Sequence, residues 1–388
     1  MRCAALLAAL LCAGAQAADF RGCLSALQPL AAAQGVSAQT FRDATGALAP
    51  DPTVLEALDN QPEFKTPIWD YLASLVDDER IADGRARLAE WEPVLARAER
   101  EYGVERQVIV AIWGVESDYG RITGKRPLLQ SLATLSCAGR RQAYFRGEFI
   151  ATLRILQSGD VSAAALNGSW AGAFGHTQFM PSTFLRLAVD FDGDGRRDIV
   201  GSVPDVIGST ANFLARAGWA AGETWGYEVR VPQGYAGASG RRNRQPLAAW
   251  TASGLRRIDG SPLSGSGGAA LLLPAGNKGP AFLVFRNFNA IYAYNAAESY
   301  GLAIAHLSDR LLGAGGIATP WPADDRGLSR AEAREVQRLL IERGYDIGAV
   351  DGGIGPLSRA AIRKFEVSAG LPETGRAGGR LLDRLRAR

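Results

Sequence analysis

The stretch Val108-Ile-Val-Ala-Ile-Trp-Gly-Val-Glu116-Ser-Asp-Tyr-Gly120 constrains this chain more than any other. From Val108 to Val115 every residue is apolar or Gly, so a helix built from them is apolar on all faces and must be buried all round. The run ends on a carboxylate, Glu116. A carboxyl held in apolar surroundings without a cationic partner has its pKa raised, stays protonated near neutral pH and can act as a general acid. The plainer reading of the same residues is a helix that reaches water at Glu116 and is closed by Gly120 as a C-terminal cap.

A chain of 388 residues exceeds one typical core, so two or more units are expected, and 47% hydrophobic with 21% charged residues describes a folded protein. The first seventeen residues differ from the rest. One charge at Arg2, an apolar run from Ala4 to Ala13 and Ala15-Gln-Ala17 read as a secretory signal peptide cut after Ala17, which predicts a periplasmic protein. Cys12 follows Leu10-Leu11 instead of the small residue that precedes a lipidated cysteine. No other stretch approaches the length of about 20 apolar residues that spans a membrane. Removing Arg2 takes the net charge from +3 to +2, too weak for a nucleic-acid partner. Two cysteines then remain, Cys23 and Cys137, either bridged in an oxidising compartment or two buried thiols. With two histidines, His176 and His306, the chain has little material for a His-rich metal centre or a Ser/His/Asp triad.

Helical patterning runs from Asp19 to about Tyr102, with Thr66-Pro67 as a start signal and Gly103 as a break. Arg140-Arg141 opens a later helix, where cations oppose the helix dipole; the pair is either a solvated surface feature or a site for an anionic partner. Gly168-Ser-Trp-Ala-Gly172-Ala-Phe-Gly175-His-Thr-Gln178-Phe-Met-Pro181 is a glycine-rich turn whose Trp170, Phe174 and Gln178 offer stacking faces and an amide to a ligand. Asp190, Asp192, Asp194 and Asp198 occupy the first, third, fifth and ninth places of a calcium-type loop with Gly195 at the sixth. Position twelve is Gly201 instead of Glu, which leaves Asp205 as the available last ligand or as a capping partner of Ser202. Period-two patterning from Tyr227 and a turn at Gly276-Asn-Lys-Gly279 predict a small β insertion over about 227–290. Residues 314–327 read as a linker, and 328–388 as three short amphipathic helices.

Taken together, Ile112-Trp-Gly-Val-Glu116-Ser-Asp-Tyr-Gly120, Gly172-Ala-Phe-Gly-His-Thr-Gln178-Phe-Met-Pro181-Ser, Val189-Asp-Phe-Asp-Gly-Asp-Gly195 and Tyr294-Asn295 with Tyr300 resemble the lytic murein transglycosylase B family. Gly344-Tyr-Asp, Asp351-Gly-Gly-Ile-Gly and Ser358-Arg-Ala-Ala-Ile-Arg-Lys-Phe365 resemble a type 1 peptidoglycan-binding domain. The resemblance implies a mainly α fold: a lysozyme-like helical catalytic core over 18–313 with an N-terminal helical subdomain and the β insertion, then a C-terminal three-helix domain. It implies cleavage of the MurNAc–GlcNAc bond of peptidoglycan without water, leaving 1,6-anhydro-MurNAc ends, with no cofactor for catalysis and a monomeric enzyme. Matching position by position, Glu116 is the acid and then the base. Gln178, Tyr294, Asn295 and Tyr300 line the saccharide groove, Arg140 and Arg141 meet the anionic lactyl-peptide, and Asp190, Asp192, Asp194, the Arg196 carbonyl and Asp205 hold a structural Ca²⁺. The alternatives are a hydrolytic muramidase, which needs a second placed carboxylate, and a wall-binding protein without catalysis.

Overall fold

A computed structural model describes residues 19–59 and 66–387. The expected signal peptide and its cleavage point lie outside them. The described chain forms two compact units, each discontinuous in sequence: 19–59 with 112–213, and 66–111 with 214–387.

The first unit holds helices α1 (19–33), α2 (Ala38–Thr45) and α3 (Pro52–Asp59), the end of a later helix running Arg106–Ser117, α8 (Leu128–Cys137), α9 (Gln142–Ser158) and α10 (Pro181–Leu187). Phe20, Leu24 and Leu27 of α1 pack with Leu132 and Leu135 of α8 and with Phe145, Phe149 and Leu153 of α9. Cys23 and Cys137 are bridged across the same contact, with Cα atoms 5.8 Å apart. That resolves the alternative the sequence leaves open. Strands β1 (Arg126–Pro127) and β2 (Asn167–Gly168) pair antiparallel where the chain enters the glycine-rich turn.

The second unit begins with α4 (Ile68–Leu75), α5 (Asp78–Glu90) and α6 (Glu92–Tyr102), and the start of the Arg106–Ser117 helix, α7, belongs to it. Helix α4 begins without a side-chain cap, Pro67 taking the cap position, so Thr66 does not serve there. Gly103 ends α6 at φ 69°, the left-handed conformation that Gly adopts without strain. The β insertion is an antiparallel sheet in the order β4 (Arg244–Pro246), β6 (Gly268–Leu272), β7 (Ala281–Val284), β3 (Gly226–Arg230), β5 (Arg256–Arg257). The predicted hairpin joins β6 to β7, with Leu271 opposite Leu283. Trp250 of α12 (Leu247–Ala252) is buried beneath the sheet and donates its indole N–H to the Ala269 carbonyl at 2.9 Å. Helix α11 (Val203–Arg216) lies mostly in the first unit and ends in the second, to which α13 (Arg286–Asn295) and α14 (Glu298–Leu311) belong.

The expected linker is pinned: Ala318 and Thr319 donate backbone N–H groups to Glu228 at 2.8 and 2.7 Å. The tail forms the three predicted helices, α15 (Arg330–Glu342), α16 (Pro356–Ser368) and α17 (Gly379–Arg386), around Val336, Leu340, Ile362 and Leu382. Ser329 and Glu332 form a reciprocal capping box at the start of α15. Arg330 meets Asp77, the cap of α5, at 2.8 Å, with the Asp77 side chain 3% exposed. Burial would raise the Asp77 carboxyl, but hydrogen bonds from Arg330 and the Arg80 amide hold it below the ordinary value.

His306 and Asp309 lie one turn apart on α14 with opposite shifts. Burial, helped by Arg310, pushes the imidazole down from 6.5 to about 4, and burial pushes the Asp309 carboxyl up from 3.8 to about 6 against a hydrogen bond from Trp225. The unfolded chain binds a proton at His306 first as pH falls through 6.5, so that contribution to stability is lost toward pH 4; it loses the Asp309 proton first as pH rises from 3.8, so that one is lost toward pH 6. Between pH 4 and 6 the two slopes oppose. Calorimetry across this range should find Asp309→Asn gaining stability relative to the parent as pH rises, by about 2–3 kcal/mol over the interval. A constant difference between variant and parent would refute it.

Candidate active site

Residues Val108 to Gly114 of α7 are buried, as an all-round apolar helix requires, but Val115 and Glu116 are half-buried. The sealed apolar setting expected for Glu116 is therefore corrected: the carboxylate stands where the buried helix meets the surface. Asp118 and Tyr119 then turn the chain at φ 50° and 57°, and Gly120 follows at φ 86°. A Cβ on Gly120 would lie 2.4 Å from the His176 ring, so no larger residue fits.

The glycine-rich turn is locked to this helix end. Ser117 Oγ donates to the His176 carbonyl at 2.6 Å and accepts the Gly120 N–H at 3.0 Å, while the His176 N–H donates to the Ile199 carbonyl at 2.9 Å. The His176 ring stacks on Trp113, centroids 5.9 Å apart, and burial lowers its pKa despite Asp198. It thus serves as packing between α7 and the turn. Gln178, at φ 51°, donates its amide hydrogens to the Thr123 and Gly175 carbonyls at 3.0 and 2.8 Å, so a ligand meets it through Oε1.

Buried Glu148 of α9 accepts the Ser182 N–H at 2.9 Å and its hydroxyl at 2.7 Å, capping α10, whose own cap residue Met180 has no side chain to do so. Sequence reasoning missed this; the signal was a helix opening on Met-Pro-Ser with no capping side chain ahead of it. Glu148, Asp160 and Asp205 are the buried acids of this unit among the described residues, and each is engaged: Asp160 pairs with Arg197 at 2.6 Å. Asp118 meets Arg121 at 3.3 Å.

Among the described residues five non-glycines have positive φ: Asp118, Tyr119, Arg141, Gln178 and Ala296. All are predicted site residues or lie within three positions of one. Such backbone costs of order 1–3 kcal/mol per residue and persists where the surroundings over-determine it, a pattern typical of functional sites.

The remaining predicted residues divide. Arg140 donates to the Leu58 carbonyl, and Arg141 precedes α9 with its guanidinium 4.5 Å above the Tyr144 ring, so both have structural partners. In the second unit Tyr294 stacks on Tyr300 at 6.2 Å. Tyr300 is 1% exposed, which corrects its expected place at the groove surface: it backs Tyr294 from inside. Asn295 is exposed at the end of α13.

The acidic loop brings Asp190, Asp192 and Asp194 together, each offering an oxygen within 4.8 Å of the others. Arg196 follows with its N–H on Asp194 Oδ1 at 2.8 Å. Asp205 is fully buried and is not among the converging oxygens, although its Oδ1 takes the Asp192 N–H at 3.3 Å. Its Oδ1 accepts the Phe191 N–H at 2.6 Å and its Oδ2 the Asp198 N–H at 2.6 Å, so it ties the two ends of the loop to α11, and its expected place among the converging ligands is corrected accordingly. Burial raises its pKa against those bonds.

The transglycosylase SLT domain family matches residues 19–309, and the putative peptidoglycan binding domain family matches 329–385. Membrane-bound lytic murein transglycosylase B of Escherichia coli K12 is 33% identical over 271 residues, 66% of this chain and 73% of that protein. The crystal structure of SltB3 from Pseudomonas aeruginosa in complex with NAG-NAM-pentapeptide is 46% identical, covers 95% of this chain and 99% of its own, and has a TM-score of 0.76. Escherichia coli Slt35 in complex with calcium is 29% identical, covers 76% of this chain and 92% of its own, and has a TM-score of 0.67. A half-buried glutamate at the end of an apolar helix, a strained turn locked against it and matches that span both segments identify this chain as a member of the lytic murein transglycosylase B family, a peptidoglycan lytic transglycosylase with a C-terminal peptidoglycan-binding domain.

Proposed function

We propose that Glu116 carries both proton transfers in a non-hydrolytic cleavage of the MurNAc–GlcNAc bond. Its carboxyl protonates the glycosidic oxygen as the C1–O bond breaks, and the resulting carboxylate removes the proton from the C6 hydroxyl of MurNAc as that oxygen bonds to C1. The product ends in 1,6-anhydro-MurNAc. The observation that carries this reading is the engagement of Asp118 and of the buried acids of the same unit: Asp118 on Arg121, Glu148 on Ser182, Asp160 on Arg197 and Asp205 on loop amides. A hydrolase with two carboxylates would need one of them free to activate water or attack C1. The substrate's own 2-acetamido group can take the second carboxylate's part. In this reading the first unit offers the saccharide Gln178 Oε1, with Arg140 and Arg141 for the lactyl-peptide, and the second unit offers Tyr294, backed by Tyr300, and Asn295. Mass spectrometry of muropeptides released from purified peptidoglycan tests it: anhydro ends, lighter by one water than reducing ends, are expected, and reducing ends would assign a hydrolase.

The acidic loop fits a divalent hard cation. Asp190, Asp192 and Asp194 hold their oxygens close despite mutual repulsion, on a loop shaped by Gly193 at φ 81° and Gly195 at φ 91°. They would hold Ca²⁺ with the Arg196 carbonyl, while Asp205 braces the loop from behind. A cation there neutralises the trio and stabilises the folded state. Millimolar Ca²⁺ should raise the melting temperature, by the equivalent of about 2.7 kcal/mol at one hundred times Kd, and a chelator should reverse it. Asp190→Asn should abolish the shift; an equal shift in that variant would move the ion elsewhere.

The segment 1–17 fits export to the periplasm, and the Cys23–Cys137 bridge fits an oxidising compartment. No helix among the described residues is long and apolar enough to cross a membrane.

A further inference from the structure

In the second unit, a cavity of about 660 Å³ opens beside β3, among Glu223, Tyr227, Arg257, Ser264, Ser266 and Asp309. None of these residues belongs to the catalytic reading above. The cavity is a built feature of the fold. Gly226 and Gly265 shape its wall at φ 157° and 143°; a Cβ would stand 2.3 Å from the Leu283 carbonyl at the first and 2.5 Å from the Phe285 ring at the second. The Tyr227 hydroxyl fastens the facing loop, donating to the Ser264 carbonyl at 2.7 Å and accepting its N–H at 2.9 Å.

Two opposite charges line this space without pairing with each other. The Asp309 carboxylate, half-buried, takes one hydrogen bond among the described residues, from the Trp225 indole at 3.1 Å. A single neutral donor under-compensates a carboxylate withdrawn from water, and the group's raised pKa reflects that. Arg257 lies flat on the Tyr227 ring, 4.0 Å from its centroid, and its ion-pair partner Asp259 is 3.8 Å away on a side chain 59% exposed. Its guanidinium keeps donors for another acceptor. Glu223 adds a second acid to the lining.

A ligand that satisfies both walls carries an ammonium and a carboxylate. We propose that this cavity is a second binding site, for the amino-acid head group of an uncrosslinked stem peptide, ammonium toward Asp309 and carboxylate toward Arg257. The proposal rests on the reading that the chain acts on peptidoglycan. The cavity lies in the 300–1,000 Å³ range of small-ligand sites and is large enough for a head group with its neighbouring residues.

The test is titration of the full mature protein with a sugar-free pentapeptide whose third residue is meso-diaminopimelate, followed by calorimetry and by the Trp225 indole N–H resonance. Saturable binding that moves the Trp225 resonance is expected. Asp309→Asn and Arg257→Gln should each weaken binding at least tenfold, and N-acetylating the peptide's diaminopimelate ammonium should do the same to the parent. Ser266→Tyr, which fills the cavity at an exposed position without touching either charge, should also abolish binding. No saturable binding by the folded parent, equal binding of the acetylated peptide, or binding indifferent to all three variants would overturn the site. Anhydro-product release from peptide-free glycan strands should be unchanged in all three variants. Failure of that release in the parent would count against the catalytic reading, while peptide binding tests the cavity by itself.

Discussion

Glu116→Gln is expected to lower the rate of anhydro-muropeptide release at least 10³-fold while leaving the fold intact. The group serves as acid in the first step and base in the second, and proton transfer by a placed side chain contributes about 10²–10⁴-fold in a single step. No surrogate stands ready: Asp118, two positions along, is turned by a left-handed backbone and meets Arg121. Glutamine keeps the shape and the hydrogen-bonding oxygen, and the position is half-buried instead of sealed, so the melting temperature should stay within the range of a surface substitution, about 0.5 kcal/mol. Affinity for glycan strands should persist, because binding rests on the groove and the tail. Parent-like release by the variant would remove Glu116 from the mechanism. Loss of strand binding along with activity would make it a binding residue instead of the acid.

Local chemistry made much of the molecule legible. A run of apolar residues from Val108 specifies a buried helix whatever surrounds it, and positions 108–114 are buried accordingly. Gly103 and the turn at Gly276–Lys278 likewise act over a few residues, and their elements form where expected. What the sequence could not disclose were the partners supplied by distant segments. Asp205 reads as a calcium ligand from spacing alone, yet three-dimensional packing gives its two oxygens to the amides of Phe191 and Asp198. Tyr300 reads as a groove residue but lies inside α14, behind Tyr294. Glu148 has no motif at all, because its task is set by a helix start more than thirty residues away. Arg140 gives one of its donors to the carbonyl of Leu58, a partner that no motif announces. Each of these differences concerns a polar group whose hydrogen-bond partner is remote in sequence. The apolar pattern carries no information about such pairings.

The second large effect is expected from the bridge. Replacing both Cys23 and Cys137 with Ala should destabilise the first unit by about 5 kcal/mol, the loop-closure entropy that a bridge across 114 residues removes from the unfolded chain. The bridge ties α1, at one end of that unit, to the end of α8, with the second unit's 66–111 contained in the loop and α9 and α10 outside it. Without it, α1 is held by the burial of Phe20, Leu24, Leu27 and Ala31 against α8 and α9, and by whatever local helix it forms alone. Fifteen residues are marginal for an isolated helix in water, so release of α1 should expose the faces of Leu132, Phe145 and Phe149 as one event. Scanning calorimetry of the double variant beside the parent checks the size of the effect. Since Glu116 and Gln178 belong to the same unit, thermal loss of transglycosylase activity should move down with the melting transition. A melting temperature unchanged by the double substitution would mean that packing alone closes the loop, and that the bridge contributes nothing beyond what the apolar contact already supplies.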